Sequence, residues 1–240
     1  MKTMALCLAF IGVSGVFTQI STRFLSSKGR GFSIVIQPVY GKHPLEMAHY
    51  YELSATDSIS FSELRFYISN ITFFYKKKKV SSEPKSAHLI DVNEPASTEI
   101  HLKNKRTIEF DSLSFCLGID SLTNVSNELS GDLDPLKGMY WTWQSGYINA
   151  KLEGNSNRCP TRKNAFQFHL GGYLSPYSNV QQLGFALPKG SNKAVFQLDI
   201  ENFIKKIDLK TQHSIMSPSR EAVYFSRNLK NQFAIINDYK

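Results

Sequence analysis

The sequence predicts an all-β chain, an antiparallel β-sandwich with one or two short helices laid over it. Three observations carry that expectation. Apolar residues recur with period two in many short runs, the mark of strands with one buried face. Clusters of Gly, Pro, Asn and Ser separate the runs. Helical periodicity is confined to two stretches near the C-terminus. At 240 residues and 42% apolar content, the chain is long enough to bury one sizeable core.

In chain order, FSIVIQ puts Phe32, Ile34 and Ile36 on one face. ELRFYISNITFFYK carries Leu64, Phe66 and Ile68, then Ile71 and Phe73. The apolar phase slips at Ser69-Asn70, so a bulge is expected there. The run Lys76 to Lys79 follows as a solvated hairpin turn. Further strands are read in SAHLIDV, RTIEFDSLSFCLGI, SGYINAKLEG, NAFQFHLGG, QLGFALP and NKAVFQLDI. If MYWTWQS is extended, Met139, Trp141 and Trp143 share one face while Tyr140 and Thr142 share the other. IENFIKKI has a helical stripe of Ile200, Phe203, Ile204 and Ile207 after Asp199, a capping residue. In SPSREAVYFSRNLKNQF, Ser217 and Pro218 take the cap and first-turn positions, with Ala222, Phe225, Leu229 and Phe233 on one face.

Residues 1–20 read as a secretory signal peptide: Lys2 precedes an apolar run reaching Phe17, too short to span a membrane. The remainder, 21–240, is expected to be a single domain, periplasmic or secreted, monomeric and without a membrane span. Cys116 and Cys159 then lie in a compartment that tolerates disulfides, and either a bridge between them or two separate thiols fits. The net charge of +8 is carried by solvated runs, and export argues against a nucleic-acid partner. No GxSxG, HExxH or phosphate loop is present and no triad order is recognisable, so the chain does not read as an enzyme. Asp132 and Asp134 in GDLDP read as a turn.

The candidate ligands are few. His43, Met47 and His49 in GKHPLEMAHYY form a local cluster of imidazole and thioether groups, which suit Cu(I). His169 alternates with the phenylalanines of AFQFHLGG and faces away from their stripe. His213 stands near Met216 in HSIM, while His88 and His101 read as surface residues. On residues alone, Trp141 and Trp143 read as sandwich packing.

GMYWTWQSGYINAKLEG (138–154) followed by FQFHLGG (166–172) closely resembles the methanobactin-partner (MbnP-like) family of exported copper-binding proteins. SISFSELRFYISNITFF (58–74) and HSIMSPSREA (213–222) fit it as well. The resemblance implies copper as the cofactor, without selecting Cu(I) or Cu(II), in a handling or storage role. It implies a tryptophan, Trp141 or Trp143, oxidised to kynurenine by a di-haem MauG- or peroxidase-like partner. Histidine ligands would stand beside it, His169 first. A W-x-H arrangement known in relatives is absent, since Trp141 is followed by Thr142 and Trp143, and Trp143 by Gln144 and Ser145. The alternative reading is a non-catalytic structural or interaction module of the cell surface.

Overall fold

The structure, a computed structural model, describes residues 31–102, 109–126, 128–144 and 146–236. The expected signal peptide lies outside them. The period-two runs become β1 (Phe32–Tyr40), β2 (His43–Pro44), β3 (Tyr50–Glu52), β4 (Ser58–Tyr75), β5 (Lys78–Ser82), β6 (Ala87–Asp91), β7 (Glu99–Leu102) and β8 (Ser112–Leu117). A short helix α1 (Ser121–Val125) leads to β9 (Tyr140–Trp141), β10 (Gly146–Ser156), β11 (Ala165–Gly171), β12 (Gln181–Ala186) and β13 (Lys193–Asp199). The chain ends in α2 (Ile200–Ile204), β14 (Ser214–Ile215), α3 (Arg220–Lys230) and β15 (Phe233–Ile236).

The strands form two sheets. The smaller runs β15-β13-β1-β2, with β7 also on β1; the larger runs β12-β8-β4-β10-β11-β14, with β3, β5 and β6 on β4 and β9 on β10. Their facing sides share one core, in which Ile34, Ile36, Phe196 and Leu198 join Leu64, Phe66, Phe115, Leu152 and Phe168. The expected mostly-β architecture is present and its pairings are antiparallel except at two places. β1 pairs with β13, and β11 with β14, in parallel. These partners are distant in sequence, so no tight hairpin imposes an antiparallel pairing.

The phase slip in β4 is real. The β4–β8 register shifts between Ser69 and Thr72, and Asn70 is exposed with φ 54°. Ile71 and Phe73 thereby return to the core, both fully buried. The lysine run makes the β4–β5 turn, where Lys76 and Lys77 take positive φ. α3 starts two residues later than Ser217 predicts: the Ser219 hydroxyl accepts from Ala222 N at 3.0 Å. Ala222, Phe225 and Leu229 form its buried stripe. Phe233 belongs to β15 instead.

Cys116 and Cys159 are free. Burial pushes both thiols up, so neither is a ready nucleophile.

A second, smaller core lies on the outer side of the larger sheet, which the sequence pattern did not announce. Ile119, Leu133, Met139 and Trp141, from the excursion between β8 and β10, pack on Tyr67, Leu89 and Ile148. Strand β10 serves both cores because its pairing with β11 shifts between Ile148 and Ala150. Ile148 joins the outer cluster, while Ala150 and Leu152 join the inner one.

Gly154 of β10 marks how closely the central strands approach. A Cβ there would collide with the Ser60 carbonyl oxygen and stand 2.7 Å from Phe166 Cζ. Gly154→Ala should lower the unfolding free energy by about 3 kcal/mol, the scale of an overpacked core. Gly184→Ala in β12, where a Cβ meets nothing within 4 Å, should change it by under about 0.5 kcal/mol. Urea unfolding of both variants checks the contrast.

Candidate functional site on the outer face of the larger sheet

The tryptophan segment is extended only at Tyr140 and Trp141; it then turns, with Gln144 N donating to Trp141 O at 3.3 Å. The expected common strand face of Met139, Trp141 and Trp143 is therefore corrected. Met139 and Trp141 are buried in the outer core, whereas Trp143 is 65% exposed. The turn instead folds Trp143 back onto its neighbour, with ring centroids 5.5 Å apart and planes tilted by 40°. The Trp141 ring lies directly on Gly171 of β11, where a Cβ would come within 2.8 Å of Cη2 and nearer still to Cζ3. Only glycine leaves room for the indole.

Gly171 is two residues beyond His169, so the two share the outer face of β11. His169 itself is buried, at 7% exposure, and its Nε2 stands 2.6 Å from Glu153 Oε1 on β10. Burial pulls the His169 pKa down, opposed by the Glu153 hydrogen bond. Burial raises the Glu153 carboxyl, but the His169 hydrogen bond and the Lys151 charge together bring it below its ordinary value. The resting pair is thus a neutral imidazole donating Nε2–H to a carboxylate, which leaves Nδ1 with the lone pair.

Glu153 is one end of a charged row that the sequence reading missed. Lys151 Nζ lies 3.5 Å from Glu153 and 3.0 Å from Glu63; Arg65 Nη1 lies 3.2 Å from Glu63, and Arg65 Nε 2.7 Å from Asp91. Directly opposed residues in the β10–β4 ladder are like-charged, Lys151 facing Arg65 and Glu153 facing Glu63. The attraction therefore runs between neighbours and along diagonals. Arg65 also donates to Lys137 O at 2.9 Å, joining the row to the excursion that carries the tryptophans. The signal was present as alternation, in ELR and AKLEG, of charged residues with core leucines.

The remaining candidates fall elsewhere. His43 lies exposed in β2 of the smaller sheet, His49 is exposed with its ring edge-on to Tyr51 at 4.7 Å, and Met47 packs against the main core. His213 precedes β14 and accepts the Gln167 N–H at its carbonyl, 2.9 Å away, with its ring Nδ1 buried and unpartnered. Met216 follows β14 directly and is exposed. His88 bonds Glu83 at 2.7 Å, and His101 bonds Ser33 at 3.0 Å. Asp132 and Asp134 hold backbone N–H groups, of Leu89 and Leu136. Among the described residues no three of His, Cys, Asp and Glu stand together as a metal cluster.

The family model described as MbnP matches residues 29–217. No curated protein sequence matches the chain. Among solved structures, MbnP from Methylosinus trichosporium superposes with a TM-score of 0.58 at 12% identity, covering 86% of this chain and 98% of that one. At that identity the likeness speaks for the fold.

The His169–Glu153 pair sets a pH dependence. The folded chain holds a proton on His169 less readily than the unfolded chain does, so this stability is intact above the ordinary histidine value of about 6.5 and is lost as pH falls below it. The lowered Glu153 value extends the loss into the carboxylate range. His169→Gln should flatten the decline in urea midpoint between pH 7.5 and 5.

Proposed function

The chain belongs to the MbnP family, a methanobactin-associated and copper-related family, and on that premise we propose that it is an exported copper-handling protein rather than an enzyme. Its site is the outer face of the larger sheet, around Trp141, Trp143 and His169. One observation carries the reading: Trp141 is seated on Gly171, two residues along the same face from His169, a buried histidine whose ring is already oriented by a carboxylate. Carboxylate–imidazole pairs of this kind orient metal ligands in many proteins.

The donors fit a soft metal in kind. His169 offers Nδ1 and Met216 a thioether, a combination suited to Cu(I). Gln144 Oε1 beside the tryptophans is buried without a partner, as is His213 Nδ1. His43, Met47 and His49 contribute nothing at this face. The cluster is short of a full ligand set, and an opened indole would supply what it lacks, an aryl amine and a carbonyl. Such an opening would consume two equivalents of peroxide, with release of two waters, at a di-haem MauG- or peroxidase-like partner to place two oxygens across the indole C2–C3 bond. Hydrolysis would then release formate and leave kynurenine. Trp143 is the indole a partner can touch, and Trp141 the one beside His169. Copper, when bound, would be held for transfer or storage.

The alternative is a surface structural or interaction module, favoured by the lack of a three-ligand cluster among the described residues. Copper titration of the purified chain separates the two. Copper handling requires one equivalent bound and a loss of about tenfold or more in affinity in His169→Ala; sub-stoichiometric copper indifferent to that change establishes the module. Maturation has its own readout. The Gly138–Lys151 peptide from protein made alongside the di-haem partner should be heavier by about 4 Da, or about 32 Da with the formyl group retained, than from protein made without it.

A further inference from the structure

Away from the tryptophan site, Pro176 and Tyr177 face Arg220, Val223, Tyr224 and Arg227 across a groove of about 400 Å³. The four helix residues fall at i, i+3, i+4 and i+7 of α3, a single stripe running beside the one buried in the main core. Tyr177 and Tyr224 are 40% and 53% exposed, and both arginines are exposed. Among the described residues no carboxylate forms an ion pair with either guanidinium. The acid next in sequence, Glu221, is engaged by Gln212 Nε2 at 3.0 Å. Two cations and two aromatic rings thus line one concavity whose charge no carboxylate among the described residues neutralises.

The opposite wall is fixed in advance. Asn179, 1% exposed, donates its backbone N–H to Gly172 O at 3.1 Å and its side chain to Gly171 O at 2.7 Å, and accepts from Asn149 at 2.7 Å. A preformed groove avoids the ordering cost that weakens binding to a mobile loop. Its residue types discriminate among occupants. Arginine and tyrosine supply anchoring contacts at protein interfaces, where lysine and glutamate are depleted. The planar guanidinium fork matches a carboxylate. Arg220 and Arg227 are separated by about 10 Å along the helix axis, roughly three residues of extended chain.

We propose that this groove docks an extended, acidic segment of a protein partner, its carboxylates on Arg220 and Arg227 and its intervening side chains against Tyr177 and Tyr224. The inference stands apart from copper. It is tested with fluorescein-labelled hexaglutamate and the full chain by fluorescence anisotropy. Arg220→Gln/Arg227→Gln should weaken binding by about tenfold or more, and Tyr224→Ala by several-fold with no change in charge. Lys78→Gln/Lys79→Gln, in the densest basic run, should stay within about twofold. Thermal melts confirm that these surface variants remain folded. Equal weakening by the lysine pair would show that the peptide follows net charge alone and would overturn the proposal, as would no binding of hexaglutamate. Inorganic phosphate displacing the peptide at the peptide's own Kd would make the groove a small-anion site, which also overturns it.

Discussion

Much of this molecule hangs on the buried side chain of Asn149. It sits where β10 shifts register and passes from the outer core to the inner one. Such a shift strands backbone groups, and a buried unpaired amide or carbonyl is costly. The carboxamide answers in two directions: Oδ1 accepts Ile119 N at 2.9 Å, and Nδ2 donates to Asn179 Oδ1 at 2.7 Å. Ile119 opens the excursion that brings back the tryptophans; Asn179 closes the segment that follows β11. One polar side chain therefore ties the start of the tryptophan excursion to Asn179, which in turn holds the carbonyls of Gly171, the seat of Trp141, and Gly172. Asparagine is suited to this because its planar amide presents a donor and an acceptor at once, without a charge to desolvate.

What was legible in the sequence was whatever alternation or turn chemistry encodes locally. The slip at Ser69-Asn70 could be read because Ile68 and Ile71 cannot both face inward on a regular strand. The lysine run announced a turn because four adjacent cations repel one another and seek water. The tryptophan turn was not legible. Period two is satisfied by Met139, Trp141 and Trp143 on paper, and the fact that Trp143 leaves the face depends on a backbone hydrogen bond across Thr142 and on the space above Gly171, a tertiary property. The parallel pairings escaped for the same reason, since strand order is set by packing over long loops. Of the candidate site, the outward orientation of His169 was visible from its neighbours, but its carboxylate partner was not, because the two residues lie on different strands.

The charged row and the outer core solve one problem by two means. A ten-stranded sheet cannot leave its second face bare, and the chain covers part of it with apolar side chains from the excursion and part with alternating carboxylates and cations. Half-buried ion pairs of that kind add little net stability, because desolvation offsets attraction. What they provide is a face on which donors are already oriented; the neutrality that an imidazole ligand needs comes from the burial of His169 and is opposed by Glu153.

The two indoles are also the only ones the chain possesses. Every photon the protein absorbs through tryptophan is absorbed within one pair of rings 5.5 Å apart, one wet and one dry. Energy passes between such neighbours faster than either emits, and their tilted transition dipoles couple. The molecule thus carries a built-in optical gauge at a single place, silent about the rest of the fold and sensitive to whatever approaches that face.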